Sequence, residues 1–251
     1  MAAADPVRRR KVTVLVAGFP SAAFGTNVYV VAPAAGEQCV VVDPGIEVAG
    51  GVDAIMREHR LEPVAVILTH GHLDHTFSVV PVGSARGLPA YIHSQDRELL
   101  ADPMKGVSPE TALMFGGRLS WVEPDDVRLI DDQPLDLAGL TIQVDHAPGH
   151  TPGSVMFRLQ GAPEFATGLD APASQTLLSG DVLFAGSIGR TDLPGGSYKQ
   201  MMQSLAQQVL TLPDDVLVLP GHGEATTIGR ERATNPYLAE VVAPGLSRRG
   251  L

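Results

Sequence analysis

Three short segments hold five of the eight histidines of this 251-residue chain: Thr69-His70-Gly71-His72-Leu73-Asp74-His75, Pro148-Gly149-His150-Thr151 and Pro220-Gly221-His222-Gly223. A single histidine is most often structural, but clustering of this kind points to chemistry that uses imidazole. Imidazole and carboxylate without thiolate is the donor set of catalytic zinc, iron or manganese, not of structural zinc. His70, His72, Asp74 and His75 place four donors within six residues, more than one ion can take in good tetrahedral geometry. Two adjacent ions resolve the excess, some of the loop facing one ion and the rest the other. His59, His93 and His146 stand outside the three segments and read as surface or core residues.

Donors of this kind need rigid strand ends beneath them. The apolar run at residues 64–68 stops directly before Thr69-His70. The runs at 141–144, 176–178 and 216–219 lead to Gly149-His150, Gly180-Asp181 and Gly221-His222, with a glycine before each donor so that the backbone can approach closely. Further β-branched runs bounded by Gly, Pro or Asp predict strands at 12–16, 27–31, 39–42, 90–92, 127–130 and 155–159. Residues 48–60 set Val52, Ile55, Met56 and His59 at helical spacing, and 198–210 do the same with Met201, Met202, Leu205 and Val209. The methionine stripe reads as core packing. Strands outnumber helices, and the helices fall between or after groups of strands, which predicts an α+β fold with sheets covered by helices. The chain is 44% hydrophobic and is read as one domain over 1–251, with 1–10 a flexible lead and the Gly-, Ala- and Pro-rich 161–175 a surface insertion.

A formal charge of −10 argues against nucleic acid as a partner, because phosphate binding needs a concentrated surplus of Lys and Arg. The run Arg8-Arg9-Arg10-Lys11 is too short to reverse this. Cys39 is the one cysteine, which excludes an intramolecular disulfide and thiolate zinc sites and fits a reducing compartment. Within Cys39-Val40-Val41-Val42 it reads as a buried, inert thiol. No apolar stretch has signal-peptide or membrane-span character, so a soluble cytoplasmic protein with no membrane partner is expected.

The HxHxDH string at 70–75, followed in order by Gly149-His150, Gly180-Asp181 and Pro220-Gly221-His222-Gly223, resembles the metallo-β-lactamase superfamily. The resemblance runs from Asp43 to His222. It implies a four-layer αββα sandwich with metals at the strand ends along one edge. It also implies a first metal position at His70, His72 and His150, a second at Asp74, His75 and His222, and Asp181 bridging the two. Asp43, in Val42-Asp43-Pro44-Gly45, would support the ligand loop from behind. The cofactor expected is a pair of divalent ions: zinc, with iron or manganese suited to the same donors. Asp74 and Asp181 are the expected catalytic carboxylates, around a bridging hydroxide whose pKa coordination lowers from 15.7 toward ~7.

Gly189-Arg190-Thr191-Asp192, Thr226-Thr227-Ile228-Gly229, Glu231 and Asn235-Pro236 are similar to the glyoxalase II branch, which hydrolyses S-acyl thiols such as S-lactoylglutathione. This implies a small-molecule thioester as substrate, whose thiolate, with a thiol pKa of about 8.5, leaves without a strong general acid. Residues 223–251 are all that follow His222, too few for the helical C-terminal domain of the longer members, so the chain is similar to the short bacterial type. Arg190, Tyr198, Lys199 and Arg232 are the candidate substrate contacts. The alternatives are a mononuclear iron persulfide dioxygenase, a lactonase or β-lactamase, and a metal-free scaffold. The dioxygenase is disfavoured by the Pro220-Gly221-His222-Gly223 string. A scaffold would have lost ligands, and all seven are present.

Overall fold

In the computed structural model, which describes residues 13–115, 121–163 and 173–242, the β-branched runs become strands. The first half holds β1 (Leu15–Pro20), β2 (Asn27–Ala32), β3 (Gln38–Val42), β4 (Glu62–Ile67), β5 (Ala90–His93) and β6 (Val127–Ile130). The second holds β7 (Leu135–Leu137), β8 (Leu140–His146), β9 (Val155–Gln160), β10 (Gln175–Gly180), the ribbon β11 (Leu183–Phe184) and β12 (Ser187–Ile188), then β13 (Val216–Pro220) and β14 (Thr226–Thr227). Two six-stranded sheets result, in the orders β1-β2-β3-β4-β5-β6 and β14-β13-β10-β9-β8-β7.

Alternation along the strands sorts side chains onto two faces, and both faces are covered. Val40 and Val42 of β3, Ala65 and Ile67 of β4, Phe157 and Leu159 of β9 and Leu217 and Leu219 of β13 meet in one core between the sheets. The intervening Cys39, Val41 and Val66 pack outward under α1 (Ala49–His59) and under two short helices, α2 (Leu73–Thr76) excepted: these are α3 (Val79–Val82) and α4 (Arg97–Ala101). After α5 (Pro109–Phe115), the second sheet's outer residues Met156, Leu177 and Val218 pack under α6 (Tyr198–Ser204), α7 (Ile228–Thr234) and α8 (Pro236–Val242). The layers are therefore helix, sheet, sheet, helix. β3 to β6 run parallel. The inner strands β3 and β4 are buried on both faces over residues 39–42 and 65–67, so there they read as continuous apolar runs, whereas β6 at the sheet edge exposes Arg128 and Leu129. Each fully buried Leu or Phe contributes about 1.5–3 kcal/mol.

Boundaries differ from expectation where pairing overrides pattern. The run at 12–16 splits: Thr13 bridges Ala162 across the molecule, and β1 extends to Pro20 because its register with β2 runs on to Asn27. The helix at 198–210 is α6 continued by a π-helical turn, Leu205–Val209, that keeps Met201, Leu205 and Val209 in the core. The lead at 1–10 and most of the insertion at 161–175 lie outside the described residues, and Gln175 opens β10. Among the described residues no helix is long and apolar enough to cross a membrane.

Helix α1 contains adjacent glycines with opposite surroundings. A Cβ on Gly50 meets nothing within 4 Å, whereas one on Gly51 would lie 2.2 Å from the Phe19 ring. Gly50→Ala is expected to raise stability by up to about 1 kcal/mol, the helix-propensity difference, and Gly51→Ala to lower it. Urea unfolding midpoints check both; equal shifts for the two would show that this packing is wrong.

Candidate metal centre

The C-terminal ends of four strands converge at one edge of the sandwich. β4 runs into His70 and His72 and then into α2, which carries Asp74 and His75; β8, β10 and β13 deliver His150, Asp181 and His222. Three groups of donors have ligand atoms within 4.8 Å of one another: His70, His72 and His150; His70, His75 and Asp181; and Asp74, His75 and His222. One sheet supplies four donors and the other three.

Hydrogen bonds fix which ring nitrogen faces inward. The Nδ1 of His75 donates to Asp43 Oδ2 at 3.0 Å, that of His150 to the Arg190 carbonyl at 2.7 Å, and that of His222 to the Phe24 carbonyl at 3.2 Å. Thr69 Oγ1 donates to Asp43 Oδ2 at 2.6 Å, so it accepts from His70 Nδ1 at 3.1 Å. Asp43 also takes the Thr69 amide on Oδ1 at 2.8 Å and so holds the start of the His70–His75 loop from behind. With Nδ1 engaged, the Nε2 lone pairs of these rings point into the cluster.

There they crowd. His72 Nδ1 lies 2.8 Å from His150 Nε2, and His75 Nε2 lies 3.3 Å from His222 Nε2. Asp181 Oδ2 is 3.6 Å from His150 Nε2 and 3.5 Å from His222 Nε2, while its Oδ1 is 3.3 Å from His75 Nε2. Asp74 Oδ2 sits 3.2 Å from His222 Nε2 and accepts from Thr26 Oγ1 at 2.9 Å. His70 Nε2 and Asp181 Oδ1 are buried without a hydrogen-bond partner. Lone pairs aimed at one another, and buried polar atoms left unpaired, are costly unless a cation lies between them. The donor set therefore fits divalent metal.

The electrostatics agree. Burial, with His75 and His150 close by, holds His70 well below the ordinary imidazole value, and burial with His150 pushes His72 down to about 3. Burial alone would raise Asp74 and Asp181, but His75 and its neighbours outweigh it and keep both below the ordinary carboxylate range. His75 and His222 move up despite burial, His75 because Asp181 and Asp74 face it and His222 because Asp74 and Asp181 do. Two ionised carboxylates, with His70 and His72 resisting protonation and His75 and His222 drawn toward it by those carboxylates, form a site that attracts positive charge.

A cavity of about 440 Å³ opens onto Asp74, Asp181, His72, His150 and His222. Phe24, Ile46, Val107, Phe184, Ile188 and Leu193 give it an apolar wall, with Ser108, Thr111 and Ser187 as polar points. Of the four residues expected to contact substrate, the structure brings only Arg190 to this cavity, and its guanidinium already pairs with Asp192 at 2.8 Å. The other three are engaged elsewhere or point to no wall of the cavity. Tyr198 donates to Glu240 at 2.7 Å, Lys199 is exposed on α6, and Arg232 is bound to Asp214 and to the carbonyls of Leu210 and Leu212. His93 and His146 stack, ring centroids 4.1 Å apart, and join β5 to β8 outside the cluster.

Two residues of the C-terminal motif acquire a role that their spacing did not reveal. Glu231, fully buried, accepts from the Gly186 amide at 2.7 Å, from Thr226 Oγ1 at 2.6 Å and from Asn235 Nδ2 at 2.9 Å. Asn235 Nδ2 also donates to the Ser187 carbonyl at 3.0 Å. Together they hold the β11–β12 ribbon, and hence Phe184 and Ile188, against the cavity. Glu231 lies on α7 and Asn235 caps its C-terminus, which places the carboxylate and the amide four residues apart side by side.

The model of the family described as Metallo-beta-lactamase superfamily matches residues 22–222. A protein of Mycobacterium tuberculosis described as uncharacterized is 42% identical over 236 residues, 93% of this chain and 100% of that one. Hydroxyacylglutathione hydrolase GloC of Haemophilus influenzae is 32% identical over 203 residues, 80% of this chain and 88% of that one. Among solved structures, the B3 metallo-beta-lactamase BLEG-1 superposes with a TM-score of 0.75 at 34% identity, covering 89% of this chain and 99% of that one. TTHA1623 in a di-iron-bound form gives 0.69 at 37% identity, covering 88% and 100%. With the family model spanning all of the ligand loops, the chain belongs to the metallo-β-lactamase superfamily.

Proposed function

We propose that this metallo-hydrolase cleaves thioesters of the S-lactoylglutathione class and works in the cytoplasm. His70, His72 and His150 would hold one divalent ion, Asp74, His75 and His222 a second, and Asp181 both. Zinc is the metal proposed, and the di-iron form of TTHA1623 supports iron as the alternative. When bound, such a pair supplies Lewis acidity and an ionised water near neutral pH.

The observation that carries the substrate class is what the cavity wall lacks. Outside the seven donors, Arg190 is the one ionisable residue on the wall among the described residues, and a guanidinium does not give up its proton. An amine leaving group needs a proton as it departs, whereas a thiolate does not. The chain's own groups otherwise position: Thr26 fixes the Asp74 carboxylate, and the apolar wall excludes water around the acyl chain. GloC supports the hydroxyacyl thioester specifically. A single cation at the mouth, already paired with Asp192, leaves little to grip a thiol carrier's carboxylates, so the carrier should affect KM more than kcat. The likeness to BLEG-1 supports a second reading, β-lactam hydrolysis.

Enzyme purified without chelator should carry close to two ions per chain by elemental analysis. It should hydrolyse S-lactoylglutathione with kcat/KM above about 10⁴ per molar per second. A β-lactam should be turned over at least a hundredfold more slowly, and glutathione persulfide should provoke no oxygen uptake. Preference for the lactam, or oxygen uptake with a single iron bound, would overturn the assignment.

A further inference from the structure

Asp96 is a fully buried carboxylate that belongs neither to the seven donors nor to the Asp43–Thr69 support beneath them. It lies between β5 and α4, at the end of a short 3-10 turn, Ser94–Asp96. Its Oδ2 accepts from the Gly71 amide at 2.9 Å and from Thr151 Oγ1 at 2.6 Å, and its Oδ1 accepts from the Gly153 amide at 2.7 Å. Gly71 separates His70 from His72, and Thr151 follows His150 directly. One side chain is thus bonded to both loops that deliver His70, His72 and His150. The contact is tight, since a Cβ on Gly153 would lie 2.6 Å from Asp96 Oδ1.

No bond joins Asp96 to the loop of His222, and its link to α2 runs only through Gly71. The two loops it does join come from different sheets, β4 of one and β8 of the other. Among the described residues no other carboxylate accepts hydrogen bonds from the backbone or hydroxyls of both loops. A carboxylate satisfied by three short donors is rigid, and it is the kind of support that holds metal-binding imidazoles in register.

We propose that Asp96 is a positioning residue that sets the spacing of the His70–His72 loop against the His150 loop, and so the affinity of that one metal position. The position of Asp74, His75 and His222 is independent of it. This rests on the metal-centre assignment made above but not on the substrate. Removing the carboxylate leaves the Gly71 and Gly153 amides buried without an acceptor, while the Thr151 hydroxyl keeps only Ser154 Oγ at 2.8 Å, and the loops move apart to hydrate the amides.

Cobalt(II) titration of metal-free protein, followed by its visible absorption, reads the two positions without any turnover. Wild-type protein should titrate in two phases. In Asp96→Ala one phase should weaken by about 10–100-fold, the range for loss of a ligand's support, and it should be the phase that His150→Ala removes. The other phase should stay within about threefold of wild type. Because Asp96→Ala is buried and could fail to fold, Thr151→Val provides a milder test: it deletes one of the three bonds, preserves shape, and should weaken the same phase by several-fold. Far-ultraviolet circular dichroism and the unfolding midpoint of the metal-free proteins separate a general loss of stability from this effect. Both phases unchanged in the two variants, or both weakened equally, would overturn the role of Asp96 alone. Wild-type protein that binds no cobalt would overturn the metal centre and this inference with it. Two intact cobalt phases in a protein inactive on thioesters would leave Asp96's role standing and remove only the substrate assignment.

Discussion

Asp181→Ala is expected to lose at least about a thousandfold in turnover, some 4 kcal/mol of barrier, and to keep less than half of its metal. The carboxylate faces donors of both positions: its Oδ2 approaches His150 and His222 and its Oδ1 approaches His75, all within 3.3 to 3.6 Å. Without it, two dications would share a site with one anion fewer. Like charges at such separations repel by several kcal/mol even at an effective dielectric of ~20. Elemental analysis and initial rates on the same preparation test this. His93→Ala is the control, since its ring stacks on His146 away from the donors and its loss should change turnover per folded molecule little. If the two variants lost turnover equally while both stayed folded, or if Asp181→Ala kept both ions, Asp181 would not bridge.

Gly221→Ala is expected to cost a hundredfold or more in kcat/KM by adding a single methyl group. Its Cβ would stand 2.3 Å from Asp181 Oδ1 and 2.7 Å from His75 Cε1. The backbone cannot retreat, because the Gly221 amide donates to the Gly180 carbonyl at 2.8 Å and its own carbonyl accepts from the Asn27 amide at 2.7 Å. The two side chains must therefore yield, and misplacement of reacting groups by about 1 Å costs on the order of 10²-fold. Steady-state kinetics and circular dichroism of Gly221→Ala beside Gly50→Ala decide it. A folded Gly221→Ala with wild-type kinetics would show that Asp181 and His75 do not pack against residue 221 in this way.

The donors were legible because their chemistry is local: four ligands within six residues, each further donor after a strand end. The sandwich was legible because Val40 to Val42 and Ala65 to Ile67 alternate between two buried faces, a pattern that requires cover on both sides. The helices α2 to α5, α7 and α8 were not, since four to seven residues carry too few turns for a helical period to show. Charge was the least informative signal. Arg232 and Tyr198 look available in the sequence, but only the fold reveals that Asp214, two carbonyls and Glu240 have already taken their donors. Asp96 escaped for the converse reason: an isolated acidic residue reads as solvated surface until three donors from distant segments, Gly71, Thr151 and Gly153, close around it.

Cys39 has no solvent exposure, and burial pushes its thiol up to about 12. At neutral pH roughly one such group in 10⁵ is thiolate, the form that attacks a disulfide. On the proposed thioester chemistry, each turnover would release a free thiol, and the enzyme would work among thiols and the mixed disulfides they form. Cys39, the chain's one cysteine, offers such thiols no accessible partner for exchange, so a released thiol would not become attached to it through a mixed disulfide.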